Sequence, residues 1–104
     1  MKRVYICIPY DTALRAMAKA IQNDYEARGY VVMNPFGIMA ALKRSYQQIG
    51  WLEPQPEDYL RERLANVEFC EEIVLCHRWA DDAVCMEEVD KAIACGLKFG
   101  YRRF

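Results

Sequence analysis

The chain has no excess of charge of either sign: 14 lysines and arginines stand against 15 acids, for a formal net charge of −1. It therefore lacks the basic field that a nucleic-acid backbone selects, and no nucleic-acid partner is expected. It also lacks a long hydrophobic run. The opening MKRVYICIPY has a basic pair and then a brief apolar stretch that meets Pro9 and Asp11, which suits a buried strand and not a signal peptide or a membrane span. The expectation is a soluble, cytoplasmic protein with no membrane partner. No C-x-x-C occurs, and the single histidine, His77, has only Cys76 beside it, so zinc-ligand spacing is missing and neither a metal nor a cofactor is expected. Neighbouring residues on a strand point to opposite faces, which keeps Cys76 and His77 from meeting as a nucleophile and base. The five cysteines (Cys7, Cys70, Cys76, Cys85, Cys95) are odd in number, and four sit inside apolar periodic stretches. They read as reduced core residues, not as a disulfide framework. No repeat, linker or low-complexity segment divides the 104 residues, of which 54% are hydrophobic: enough for one compact core and too few for two ordinary domains.

What is present alternates. Arg3 to Ile8 is a β-branched and aromatic run bounded by Pro9, as an interior strand requires. Leu14, Met17, Ile21 and Tyr25 then stripe one face of a helix, with Asp11 or Thr12 to cap its start and Gly29 to close its end. Tyr30 to Met33 supply a second strand stopped by Asn34 and Pro35, completing a right-handed βαβ unit. Between Phe36 and Pro56, the residues Ile38, Met39, Leu42 and Tyr46 predict a short helix, and Gly50 and Pro54 a loop whose Trp51 and Leu52 form a lid, a subunit contact or a satellite of the core. A helix follows from Pro56 through Leu60, Leu64 and Val67, then a third strand from Glu72 to His77. A helix from Ala83 to Cys95 turns Val89, Ala92 and Ile93 inward and ends at Gly96, and Leu97 to Tyr101 make a fourth strand. Strand and helix in alternation predict a three-layer α/β/α fold of the flavodoxin or Rossmann kind, with a short parallel sheet of four or five strands. Ligands in such sheets bind at the carboxyl ends of the strands, which here means Ile8 to Thr12, Asn34 to Gly37 and Arg78 to Glu88.

The last of these segments holds the carboxylates. In HRWADDAVCMEE, Asp82 and Glu88 are separated by a loop-to-helix turn able to bring both into one pocket, one as nucleophile and one handling protons. The competing reading makes Asp82 an N-cap and leaves the acids of the first turns to the helix dipole.

Four segments in this order, VYICIPY, VVMNP, FCEEIVLCHRW and EEVDKAIACGLKF, resemble the nucleoside 2-deoxyribosyltransferase superfamily, most closely its small uncharacterised branch. The resemblance rests on Pro9, on Asn34 and Pro35 ending the second strand, and on Trp79, Glu88 and Ala92. It covers most of the chain apart from residues 36 to 56. It implies a single domain over residues 1 to 104 that transfers or hydrolyses the N-glycosidic bond of a 2′-deoxynucleoside. Glu88 is then the nucleophile at C1′, with Asp82 and Tyr10 assisting. Pro9, Asp11, Asn34, Pro35 and Trp79 are then substrate-binding residues, and the partner is a nucleoside or nucleotide-like small molecule. Relatives complete their sites across a subunit boundary, so a homo-oligomer is also implied. Base would leave as Glu88 forms a glycosyl ester, and another base or water would take the sugar with retention, as in retaining glycosidases.

The chain departs from that pattern at three places. Asp82 stands where the small branch has serine, and Val84 where it has glycine. The acid expected on the preceding helix falls nearest Arg63, with Glu62 adjacent and Asp58 a turn earlier. These departures carry the alternative, a non-catalytic nucleoside-binding or nucleotide-binding module on the same fold. A plain interaction domain with Phe36 to Leu52 as its contact surface is a third reading. The first loop, IPYDTA, offers no glycine to cradle a phosphate, which favours a free nucleoside.

Overall fold

β1 (Arg3–Cys7) has no solvent face: every residue from Val4 to Ile8 is buried. A strand covered on both faces belongs in the middle of a parallel sheet. The computed structural model, which describes residues 2 to 102, places it between β2 (Val31–Met33) and β3 (Glu72–Leu75), with β4 (Lys98–Tyr101) beyond β3. All neighbours are parallel, and one register line runs Met33, Tyr5, Ile73, Phe99 across the sheet.

The chain steps from β1 outward to β2, then back across β1 to β3 and on to β4. Right-handed crossovers in opposite directions put their helices on opposite faces. On one face α1 (Arg15–Ala27), preceded by a single 3-10 turn (Thr12–Leu14), packs Ala18 and Ile21 against Val4, Ile6 and Val74. On the other, α3 (Pro56–Phe69) and α4 (Ala83–Cys95) pack Val67, Cys85, Val89 and Ala92 against Tyr5, Cys7, Ile73 and Leu75. Strand alternation sends successive residues of β1 into the two clusters in turn. The result is the three-layer α/β/α arrangement.

Several local expectations are corrected. The stretch after Asn34 is not a short helix but α2 (Pro35–Gln48), 14 residues long. Asn34 Oδ1 accepts from the Phe36 N–H at 3.0 Å, and Pro35 fills the first turn, where its missing N–H costs nothing. Beyond α2, Trp51 is 64% and Leu52 87% exposed, so neither is a satellite of the core, although the Trp51 ring leans edge-on against Tyr46. Ile93 is not inward. It lies about 100° round the helix from the buried Ala92 and falls on the outer face, 64% exposed. The third strand stops at Leu75 and not at His77: its ladders to β1 and β4 end at Cys7 and Tyr101, and the chain turns left-handed at Arg78 (φ 63°). Cys76 is buried and His77 exposed, as opposite-facing neighbours should be. Cys7, Cys70, Cys76 and Cys85 are buried, but Cys95, on the last turn of α4, is exposed. Among the described residues no helix is long and apolar enough to cross a membrane.

Candidate functional site

α1 and α4 leave β1 and β3 for opposite faces, so the loops that follow these neighbouring strands diverge and leave a crevice at their carboxyl ends. A cleft of about 360 Å³ lies there, lined by Tyr10 from the first loop, Met39 of α2, Pro56, Tyr59, Leu60 and Arg63 of α3, and Asp82 and Val84 at the start of α4. Tyr10 is half-exposed and rests on Phe36, with ring centroids 4.9 Å apart. Asp82 is extended (φ −118°), and its Oδ1 accepts from the Cys85 N–H at 2.9 Å. It is therefore the N-cap of α4 and a wall of the cleft at once.

Glu88 lies nearly two turns further into α4, on the face that packs against β1. Its side chain is wholly buried, 0% exposed. Arg63 closes on it as a fork, Nε to Oε2 at 2.9 Å and Nη2 to Oε1 at 3.2 Å. The Tyr5 hydroxyl donates to Oε2 and the Cys7 thiol to Oε1 at 3.6 Å. Both oxygens are thus occupied, and Arg63 is the side chain that lies on the cleft side of them while lining the cleft itself. Burial pushes the Glu88 carboxyl above its ordinary range, against the pull of Arg63 and the hydrogen bonds from Tyr5 and Cys7. Burial acts to lower Arg63, but the facing Tyr5 and Glu88 oxygens outweigh it and hold the guanidinium charged. Desolvation, with Glu88 alongside, drives the Tyr5 hydroxyl well above its usual value. Hydrogen bonding with the Cys85 side chain and burial do the same to the Cys7 thiol.

Arg63 is the residue that sequence reasoning missed. It occupies the position where the resemblance places an acid. A signal was present: Leu60, Arg63 and Val67 fall on one helical stripe, and a charge on an inward stripe needs a buried partner of opposite sign.

The other expected site residues are dispersed. Pro9 is buried beneath the first loop. Asp11 caps the 3-10 turn, accepting from the Ala13 N–H at 3.0 Å, and its other oxygen lies 3.8 Å from Arg78. Asn34 and Pro35 belong to the start of α2, where Asn34 donates to Gln22 Oε1 at 3.1 Å and borders a separate groove near Gly37. Trp79 packs on the core and borders a second cleft of about 440 Å³ with His77, Arg78 and Tyr101. The structure therefore brings Tyr10 and Asp82 to one cleft with Glu88 behind Arg63, and leaves Trp79, Asn34 and Pro35 outside it.

Cys7, Cys85 and Glu88 hold donor atoms within 4.8 Å of one another, a spacing a metal ion could span. The chemistry does not fit one. Glu88 already accepts four hydrogen bonds, and a cation would have to displace the Arg63 guanidinium from a buried site.

No family model matches the chain, and no curated protein matches it.

Proposed function

We propose that the chain is a non-catalytic binding module for a nucleoside-sized ligand seated in the cleft among Tyr10, Arg63 and Asp82, with Glu88 anchoring Arg63 and not attacking a sugar. The observation that carries this reading is the state of Glu88: wholly buried, with both oxygens occupied by Arg63, Tyr5 and Cys7. A carboxylate nucleophile must offer a free oxygen within about 3.5 Å of the carbon it attacks. The cleft's size falls within the range of about 300–1,000 Å³ typical of small-molecule sites, and its walls are mainly apolar with a few polar groups.

A second reading, deoxyribosyl transfer or hydrolysis through Glu88, has one observation in its favour. Arg63 both lines the cleft and covers Glu88, so a guanidinium turned aside would present the carboxylate to the same space as Tyr10 and Asp82. In that case base departs as Glu88 forms a glycosyl ester, and a second base or water releases the sugar.

Incubation with a 2′-deoxynucleoside and a different free base separates the two. Ligand-observed NMR should report binding while chromatography finds neither exchanged nor released base. Turnover that disappears in a folded Glu88→Gln variant would establish the transfer reading instead. No nucleoside binding at all would overturn both.

A further inference from the structure

Arg63 has five N–H bonds and its side chain is 3% exposed. Nε donates to Glu88 and to the Tyr5 oxygen, and Nη2 donates to Glu88, whereas Nη1 has no partner among the described residues. No buried side-chain nitrogen or oxygen among the described residues lacks a hydrogen-bond partner. Nη1 therefore keeps a small solvent contact, and Arg63 is one of the residues that line the cleft. The same lining carries the complementary group: Asp82 spends Oδ1 on the Cys85 N–H, and Oδ2 accepts from no donor among the described residues. The cleft thus offers one fixed donor and one fixed acceptor among apolar side chains such as Met39, Leu60 and Val84.

Its charge is equally specific. Arg63 is compensated by Glu88, and Asp82 is in no ion pair among the described residues, so among them the uncompensated charge on the lining is negative. Resting on the reading that the cleft binds a nucleoside-sized molecule, we infer that it selects an uncharged ring whose edge carries a carbonyl oxygen beside an N–H, a cyclic amide of the oxo-nucleobase type. The carbonyl accepts from Arg63 Nη1, the N–H donates to Asp82 Oδ2, and a phosphorylated form of the same ligand is disfavoured.

Isothermal titration with the intact chain tests this. 2′-Deoxyinosine and 2′-deoxyuridine present a carbonyl beside a ring N–H, and purine 2′-deoxyriboside presents neither. At least one of the first two should bind roughly tenfold or more tightly than the third, the scale of a lost hydrogen bond to a charged group. The 5′-monophosphate of the better ligand should bind more weakly than the nucleoside, and Asp82→Asn, which keeps an oxygen for the cap, should narrow that gap. R63M/E88L removes both buried charges together, so neither is left unpaired, and should abolish the preference for the oxo ring. Equal binding of oxo and unsubstituted rings, or a preference that survives R63M/E88L, overturns the inference while the binding reading stands. If no nucleoside binds, the binding reading itself falls.

Discussion

A guanidinium and a carboxylate buried against each other are coupled by what each costs alone. Removing one leaves an uncompensated charge in the core, and the penalty for breaking such a pair is about 3–5 kcal/mol. Arg63→Met and Glu88→Leu should each lower the unfolding free energy by about that amount, and the double variant by far less, in urea denaturation read by circular dichroism. Strictly additive losses would show that the two side chains do not act as a pair. The thiols give a second test at this scale. Burial pushes Cys70 and Cys76 up to about 12, and Cys7 is also raised. At pH 8 a thiol reagent should therefore modify Cys95 rapidly in the native protein and all five cysteines after denaturation. Rapid modification of two or more native thiols would contradict the packing of Cys7, Cys70, Cys76 and Cys85.

Among the helices, α4 is the most sharply delimited, because side-chain chemistry marks both of its ends. Asp82 accepts from the Cys85 N–H, and Gly96 takes a left-handed turn (φ 72°) that lets its own N–H reach the Ala92 and Ile93 carbonyls. Asp82→Ala should cost about 0.5–2 kcal/mol in thermal or urea unfolding through loss of the cap, while Asp82→Asn should be close to neutral. Equal losses from the two would mean that the carboxylate charge, and not the capping oxygen, stabilises the helix. The cap and the glycine made the bounds of α4 readable from residues 82 to 96 alone. α2 was less readable because it buries only Pro35 and Phe36 at its start, and Gly37 and the largely polar run Lys43 to Gln48 leave little apolar stripe to mark its 14 residues. Ile93 was misplaced for a related reason: an apolar residue beside an inward one need not share its face.

At the scale of the whole sheet, its two central strands are tied at their starts by a surface ion pair whose pH response is defined. Arg3 Nη2 meets Glu71 Oε1 at 2.8 Å, linking the start of β1 to the turn before β3. These hydrogen bonds hold the Glu71 carboxyl down to about 2, from an ordinary value of 4.5. A carboxyl depressed in the folded state adds stability above its ordinary value, and that contribution is lost as the pH falls from 4.5 toward about 2. Glu71→Gln should therefore flatten the acid limb of the stability curve over that window, measured by urea midpoints at successive pH values. An unchanged limb would place the acid sensitivity elsewhere.

Local pattern alone determined the order of strands and helices and the parallel sheet. Period-two and period-3.6 burial, proline and glycine punctuation, and the handedness of crossovers all act over a few residues or follow from chain order. Spacing alone left Glu88 as one of several acids that the dipole of α4 would favour, and only the resemblance singled it out. What surrounds Glu88 was decided only in three dimensions. Tyr5, Cys7, Arg63 and Glu88 come from β1, α3 and α4, and up to 83 positions separate the residues that hydrogen-bond there. The packing of α3 against α4 alone turns a helical arginine and a helical glutamate into a closed pair.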